Sequence, residues 1–337
     1  MQKWCFLVLI FTNFCFAQQS DFTTIDFKKA DYIAKSFKSK GLLDIHKTAI
    51  TLTENLETEV EKVRAIYLWI CNNIANDYRL YAKNSRKRNK FINDSIRLNE
   101  WNSDFKKLLF KKLLKNRSTI CTGYAYLFKE MCGIINIEAK MVNGFGRTSD
   151  VNVEDLIEPN HTWNVVKINN KWYLCDPTWS AGISYPEQGK FVFEYNDGYF
   201  LTDPKIFFLN HYPIEEKYAL LNNKTYSLKE FSEMPLLYAE AYNILKEHVA
   251  PAKMHHEIIQ NDSFTFTYQL KEKIDINKIK FIFSNGDNEN IKKPEINLVD
   301  KTLTLQYTFA NRGFYDVHLC YNNQIICTYT FLIKKAL

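Results

Sequence analysis

Apolar residues follow two different periods along this chain, and the change falls near residue 135. Before it the spacing is helical. In "TEVEKVRAIYLWICNNI", residues Val60, Val63, Tyr67, Ile70 and Ile74 share one face, and Thr58 with Glu61 forms a capping box ahead of them. Residues 20–56 read as short helical pieces, and residues 79–104 as a polar, basic connection. A helix follows in which Phe105, Leu108, Leu109 and Leu113 line up. Next, "STICTGYAYLFKEMCG" places Tyr124, Leu127, Phe128 and Met131 on one face. Ser118 and Thr119 are cap-type residues just before it, so a helix is predicted to open at or near Cys121.

From Ile135 the period becomes two. "INIEAKMVNG", "HTWNVVKI", "KWYLCD" and "FVFEY" are expected strands, followed by an irregular completion to about Pro235. "LKEHVAPAKMHHEIIQND", residues 245–262, reads as a boundary. Beyond it Phe264, Phe266, Tyr268 and Leu270 alternate strictly, as do Leu303, Leu305, Tyr307 and Phe309, then Cys327, Tyr329, Phe331 and Ile333. Asn285-Gly286 and Arg312-Gly313 supply turns. This pattern predicts a small antiparallel, immunoglobulin-like β-sandwich over residues 260–337.

The first residues are set apart. Lys3 gives a basic start, Trp4 to Phe16 form an apolar stretch, and Ala17 precedes polar Gln18. That is the form of a secretory signal peptide, residues 1–17, with cleavage expected after Ala17 and a secreted or periplasmic product. The first domain is expected over residues 18–245. No later segment reads as a membrane span.

Charge changes the picture in one place. The chain carries a net +6, yet residues 79–117 alone hold thirteen Lys or Arg against three acids. The amphipathic "FKKLLFKKLLKNR" suits a helix with a solvated basic face, and the same face fits an anionic surface or polymer. Nothing resembles a nucleic-acid recognition motif, so no nucleic-acid partner is expected. Glycine is scarce and no phosphate loop or dinucleotide fingerprint occurs. Past the leader, Cys71, Cys121, Cys132, Cys175, Cys320 and Cys327 are scattered, without CxxC or zinc-finger spacing. If Asn322-Asn323 make the turn, Cys320 faces Ile325 and not Cys327. Free, buried thiols and no metal or other cofactor are therefore expected.

Cys121 is the thiol with a chemical setting. A cysteine at a helix start lies near unpaired N–H groups and the positive end of the dipole, which favour thiolate. A nucleophile needs a base, and the base an orienting partner. Among seven histidines, His161 opens a buried-looking strand in the same domain as Cys121. With Asn169-Asn170 as a two-residue type I′ turn, paired positions along the hairpin sum to 339, placing Trp163 opposite Asp176 and His161 opposite Thr178. His161 and Asp176 then project from one face as diagonal neighbours, and Pro177 stops the strand. His211 reads as a hydrogen-bonded structural histidine, His255-His256 as solvated linker residues, and Trp69, Trp163, Trp172 and Trp179 as core or groove walls.

"STICTGYAYLF" and "HTWNVVKINNKWYLCDPTW", with the helix "EKVRAIYLWICNNIANDY" ahead of them, resemble the transglutaminase-like superfamily. "YFLTDPKIFFLNHYPIEEKYALL" is similar to the extension in its kyphoscoliosis-peptidase branch. The resemblance spans roughly residues 55–235; it departs at Thr122, where Gln or Glu is commoner. It implies an α+β, papain-like core followed by the sandwich, with Cys121 as nucleophile, His161 as general base and acid, and Asp176 as orienter. The implied activity is a cysteine hydrolase acting on peptide or isopeptide amides of a protein or peptide substrate. Acyl transfer from Gln to an amine, and a non-catalytic binding or scaffold module, stand beside it as alternatives.

Overall fold

A computed structural model describes residues 19–37, 42, 44–149, 151, 158–222, 224–286 and 288–335. The expected leader lies outside the described residues. Helices α1 (Lys28–Ser36) and α2 (Ile45–Thr53) pack on α3 (Glu59–Asn73). The Thr58–Glu61 capping box is formed. Burial on α3 exceeds the expected stripe: every residue from Val63 to Cys71 is buried, because other elements surround the helix.

Strand β1 (Ala75–Asn76) leads to α4 (Tyr78–Phe91) and α5 (Ser95–Asn116), then to β2 (Ser118–Thr119), which pairs in parallel with β1. The expected connection over residues 79–104 is thus helical. Asp77 and Asp94 start the two helices by accepting from the N–H groups of Leu80 and Arg97. The apolar contacts are few, with Leu80, Phe105, Leu109 and Ile120 making a small satellite core, so the basic exposed faces hide the period. Helix α6 (Cys121–Ile134) does open at Cys121, but its N-cap is Ile120, without a side-chain cap, and Ser118 and Thr119 are strand residues instead. Tyr124, Leu127, Phe128 and Met131 are buried as expected.

The central sheet contains β3 (Ala139–Gly146), β4 (His161–Ile168) and β5 (Lys171–Cys175). Asn169 and Asn170 adopt φ of 49° and 63°, as a type I′ turn requires. Pairing runs from Ile168 with Lys171 to Asn164 with Cys175, the counted register. The ladder stops there. Trp163 with Asp176 and His161 with Thr178 are not formed, because Asp176 turns the chain into α7 (Pro177–Ala181), with Pro177 at its first position. A hairpin of β6 (Gly182–Tyr185) and β7 (Lys190–Phe193) follows, then α8 (Pro204–Phe208) and β8 (His211–Pro213). Strand β8 adds to β3, giving the antiparallel order β5-β4-β3-β8, and α6 packs on β3 and β4.

Helix α9 (Leu228–Ser232), β9 (Leu236–Leu237) and α10 (Ala239–Ile244) lead into a sandwich. Its strands are β10 (Leu245–Ala250), β11 (His255–Ile259), β12 (Ser263–Leu270), β13 (Ile279–Asn285), β14 (Asn288–Lys292), β15 (Glu295–Val299), β16 (Thr302–Thr308), β17 (Gly313–Tyr321) and β18 (Gln324–Lys334). One sheet has the order β10-β12-β16-β15; the other runs β11-β18-β17-β13-β14, with β9 also on β18. All pairs are antiparallel except β11 along β18.

The boundary expected over residues 245–262 is corrected here, since it supplies β10 and β11. His255 and His256 are accordingly strand residues: His255 bonds Thr330, and His256 packs on the rings of Phe264 and Phe331. The sandwich core also takes in Tyr199, Ile206, Leu237, Ala241 and Tyr242, so the two units share apolar contacts. Cys320 pairs with Ile325, and the six described cysteines are free.

Candidate active site

The start of α6 is fixed by its flanks. The Ala75 N–H donates to the Arg117 carbonyl at 2.8 Å, and the Asp77 N–H to the Thr119 carbonyl at 2.7 Å. These bonds bring the start of α4 beside Cys121. Thr119 in turn presses on the first turn of α6: a Cβ at Gly123 would lie 1.8 Å from the Thr119 Oγ1, so only glycine fits. Likewise a Cβ at Gly146 of β3 would lie 2.8 Å from the Cβ of His161.

The structure brings the three sequence-predicted residues together. Cys121 and His161 are each 8% exposed and Asp176 is fully buried. The His161 Nε2 lies 2.6 Å from the Asp176 Oδ2, which leaves Nδ1 for the thiol. The other carboxylate oxygen, Oδ1, accepts from the N–H groups of Thr178 at 2.8 Å and Trp179 at 3.2 Å. The acid is therefore both a partner of His161 and the N-cap of α7. The indole of Trp179 stacks on the imidazole, with centroids 4.9 Å apart and planes at 23°.

Electrostatics separates this thiol from the others. Burial alone would raise the Cys121 pKa, but the hydrogen bond and charge of His161, with the Thr162 N–H, bring it below the ordinary value. Burial also disfavours a charged His161, yet the Asp176 carboxylate outweighs it and lifts that pKa to about 10. Asp176 is held well below the usual carboxylate range: burial opposes ionisation, and the two histidines beside it reverse the balance. Cys71, Cys132 and Cys175 are pushed up by burial, Cys320 to about 11 and Cys327 to about 12 by the same cause. A thiolate–imidazolium pair is thus favoured at Cys121 and disfavoured at the other described cysteines.

The cleft has two lobes that meet at Cys121 and His161. One, of about 620 Å³, carries the polar side chains of Asn84, Arg88, Asn143, Glu158 and Thr162 beside Ile92, Pro159 and Ile214 on its walls. The other, of about 420 Å³, is largely apolar and aromatic, with Tyr78, Trp179, Ile183, Leu237 and Tyr238. Tyr81 borders both. Of the four tryptophans expected as core or groove wall, Trp69 and Trp163 are fully buried and Trp179 lines the cleft.

His211, expected as a hydrogen-bonded structural histidine, has a hydrogen-bond partner at each ring nitrogen, and one of the two is the candidate acid. Its Nε2 lies 3.1 Å from the Asp176 Oδ2. The edge position of β8, next to β3, is a long-range pairing that no local pattern announces. Ligand atoms of His161, Asp176 and His211 all lie within 4.8 Å of one another. Their separations of 2.6 and 3.1 Å through one oxygen are those of shared protons.

Residues 46–177 match the transglutaminase-like superfamily. Over 219 residues the chain is 31% identical to the kyphoscoliosis peptidase of Homo sapiens, a match covering 64% of this chain and 30% of that protein. Over 227 residues it is 25% identical to hillarin of Drosophila melanogaster, covering 63% of this chain and 25% of that one. The chain thus spans about 30% of the length of the peptidases it matches. Among solved structures, the Lin-41 filamin domain is similar at 14% identity with a TM-score of 0.20, covering 23% of this chain and 82% of that one. A titin I27 domain is similar at 17% identity with a TM-score of 0.19, covering 27% and 90%.

Proposed function

We propose, from the transglutaminase-like domain that this chain carries at residues 46–177, that the protein is a cysteine hydrolase of peptide or isopeptide amides. The observation that carries the reading is the buried His161–Asp176 hydrogen bond beside the one described thiol whose pKa is lowered. The peptidase name of the human relative supports an amide substrate. In this reading the Cys121 thiolate attacks the carbonyl carbon, forming a C–S bond. The Cys121 N–H, at the first position of α6, meets the developing oxyanion. His161 gives its proton to the leaving nitrogen as the C–N bond breaks. Water then attacks the thioester, His161 takes the water proton, and the thiolate departs. Asp176 keeps the imidazole oriented throughout.

Two lobes that meet at the thiol suit a chain lying across the cleft. Export, from the leader-like residues 1–17, is part of the proposal; the secreted product would begin at Gln18.

The test is labelling of the intact chain by a thiol-directed electrophile at neutral pH, with the modified residue identified, followed by incubation with peptides and a labelled primary amine. Preferential reaction at Cys121 with peptide cleavage is the expected result. Amine incorporation in place of cleavage would assign acyl transfer. Reaction no faster at Cys121 than at a denatured cysteine would overturn the catalytic reading in favour of a binding module.

A further inference from the structure

His211 is completely buried among aromatic rings, stacked on Phe207 with centroids 3.8 Å apart and edge-on to Trp163 at 5.1 Å. Both its nitrogens face acceptors. Nδ1 is 3.1 Å from the Phe207 carbonyl oxygen, and Nε2 is 3.1 Å from the Asp176 Oδ2. A neutral imidazole has one N–H and can satisfy only one of them. Burial holds the His211 pKa down, to about 4, against the pull of Asp176, so the ring is neutral at pH 7.

The surroundings decide where the single proton sits. The Phe207 carbonyl already accepts the Asn210 N–H, at 3.3 Å. Oδ2 is an ionised acceptor, and a charge-assisted hydrogen bond is roughly twice as strong as a neutral one. A lone pair on Nε2 aimed at the carboxylate would instead be repelled. The proton therefore belongs on Nε2. Asp176 then receives four donors: Thr178 and Trp179 N–H on Oδ1, His161 and His211 on Oδ2. The titratable groups facing His211 are Asp176 ahead of α7, His161 from β4, and Tyr199, whose ring centroid is 6.5 Å away.

We propose that His211 is a positioning residue that donates its Nε2 proton to Asp176 and so limits how strongly that carboxylate holds the proton of His161. The inference rests on the proposed roles of Cys121 and His161. A carboxylate oxygen shared between two donors is a weaker base toward each. Without His211 the imidazolium of His161 is held more tightly: the thiolate forms at lower pH, and the proton is released less readily to a leaving amine.

The experiment measures Cys121 alkylation by iodoacetamide against pH in the intact chain. His211→Phe removes the donor and keeps an aromatic ring; His211→Gln keeps an N–H near the Nε2 position. In His211→Phe the acid limb should move down by about half a pH unit or more, and in His211→Gln it should return to the wild-type position. A folded His211→Phe variant with an unmoved limb, or a limb moved upward, overturns the proposal. Nitrogen-15 NMR of histidine-labelled wild-type chain at pH 7 decides the matter without any variant. A His211 ring that carries a proton on Nε2 supports it, and one protonated on Nδ1 alone overturns it. Wild-type Cys121 that fails to react preferentially would instead refute the catalytic reading itself.

Discussion

Asp176 touches His161 through one carboxylate oxygen, at 2.6 Å, and caps the helix at Pro177 through the other. Orientation of the candidate base and closure of a chain turn are thus two uses of one side chain. The carboxylate cannot swing away from His161 without uncapping α7, so the imidazole faces an acceptor that the backbone has already fixed.

That double use sets the outcome of Asp176→Asn. The amide keeps one oxygen for the Thr178 and Trp179 N–H groups, but turns an NH₂ toward two histidine nitrogens. His161 is then driven to the wrong tautomer. Alkylation of Cys121 at neutral pH should slow by about tenfold or more, the equivalent of one pKa unit. Stability should fall by about 3 kcal/mol, because a buried charge-assisted set is broken on one side. Urea unfolding and alkylation kinetics measure the two effects; unchanged alkylation in a folded variant would remove Asp176 from the mechanism.

Stability should depend on pH in a way that the histidines dictate. His211 is held down to about 4 when folded and returns to 6.5 when unfolded. Between those values only the unfolded chain binds that proton, so its contribution, present above 6.5, is lost as pH falls. His248, also lowered to about 4 by burial, acts with the same sign. Cys121 and His161 act as a pair. While the thiolate persists, the folded state keeps their one proton on His161 up to about 10, whereas unfolded values are 9.0 for the thiol and 6.5 for the imidazole. Both states hold one proton between 6.5 and 9.0, giving a plateau; above 9.0 the unfolded state holds none and stability declines toward 10. Urea midpoints taken across pH should show this plateau, and His211→Phe should shallow its acid side. A midpoint that keeps climbing below 6.5 would contradict the assignment.

The basic segment offers a separate expectation. Lys106, Lys107 and Lys111 are exposed on α5, whereas Lys112 reaches Asp77 at 2.6 Å and serves the fold. If the exposed face contacts an anionic surface, replacing those three lysines by Gln should weaken binding to anionic vesicles and leave the melting temperature in place. Binding should also fall steeply with salt, since exposed charges are screened within about 10 Å at 0.1 M. Vesicle co-sedimentation reads both; salt-independent behaviour would mark the face as merely solvated.

A fourth expectation concerns the sandwich. A fragment of residues 260–337 lacks β9, β10 and β11 and loses the packing of Leu237, Tyr242 and Leu245. It should fail to fold, as circular dichroism and thermal melting would reveal, and residues 245–262 should resist limited proteolysis in the intact chain. A cooperative melt of the fragment would restore the boundary expected over residues 245–262.

Much of the site was legible because it rests on local rules. Two asparagines that accept positive φ fix the hairpin register, and with it the approach of His161 to Asp176. An apolar face at helical spacing locates α6, and its start falls at Cys121 as expected although Ser118 and Thr119, read as caps, are strand residues. The count failed just past Cys175, where proline and an Asx-type cap end the ladder sooner than alternation alone implies. Helix α4 and the first part of α5, up to residue 104, were hidden because solvated basic faces dilute the period and the apolar contacts form only a small cluster, whereas the Phe105 face of α5 was legible. Strands β10 and β11 were hidden because most of their residues are exposed or half-buried, so alternation is weak there. His211 depends on a strand pairing across distant sequence, which no window over "FLNHYP" contains.

The shared packing reaches the cleft itself. Leu237 and Tyr238 form part of the apolar lobe, and the same short segment is stitched to β18: the Tyr238 N–H bonds the Ile326 carbonyl at 2.9 Å, and Leu237 pairs with Cys327. One wall of the candidate site is therefore the rim of the neighbouring sandwich. Gene rearrangement that joined the first unit to a different partner near residue 245 would carry away the strand that holds this wall. A substitution on β18 is therefore expected to be felt by whatever lies across Cys121.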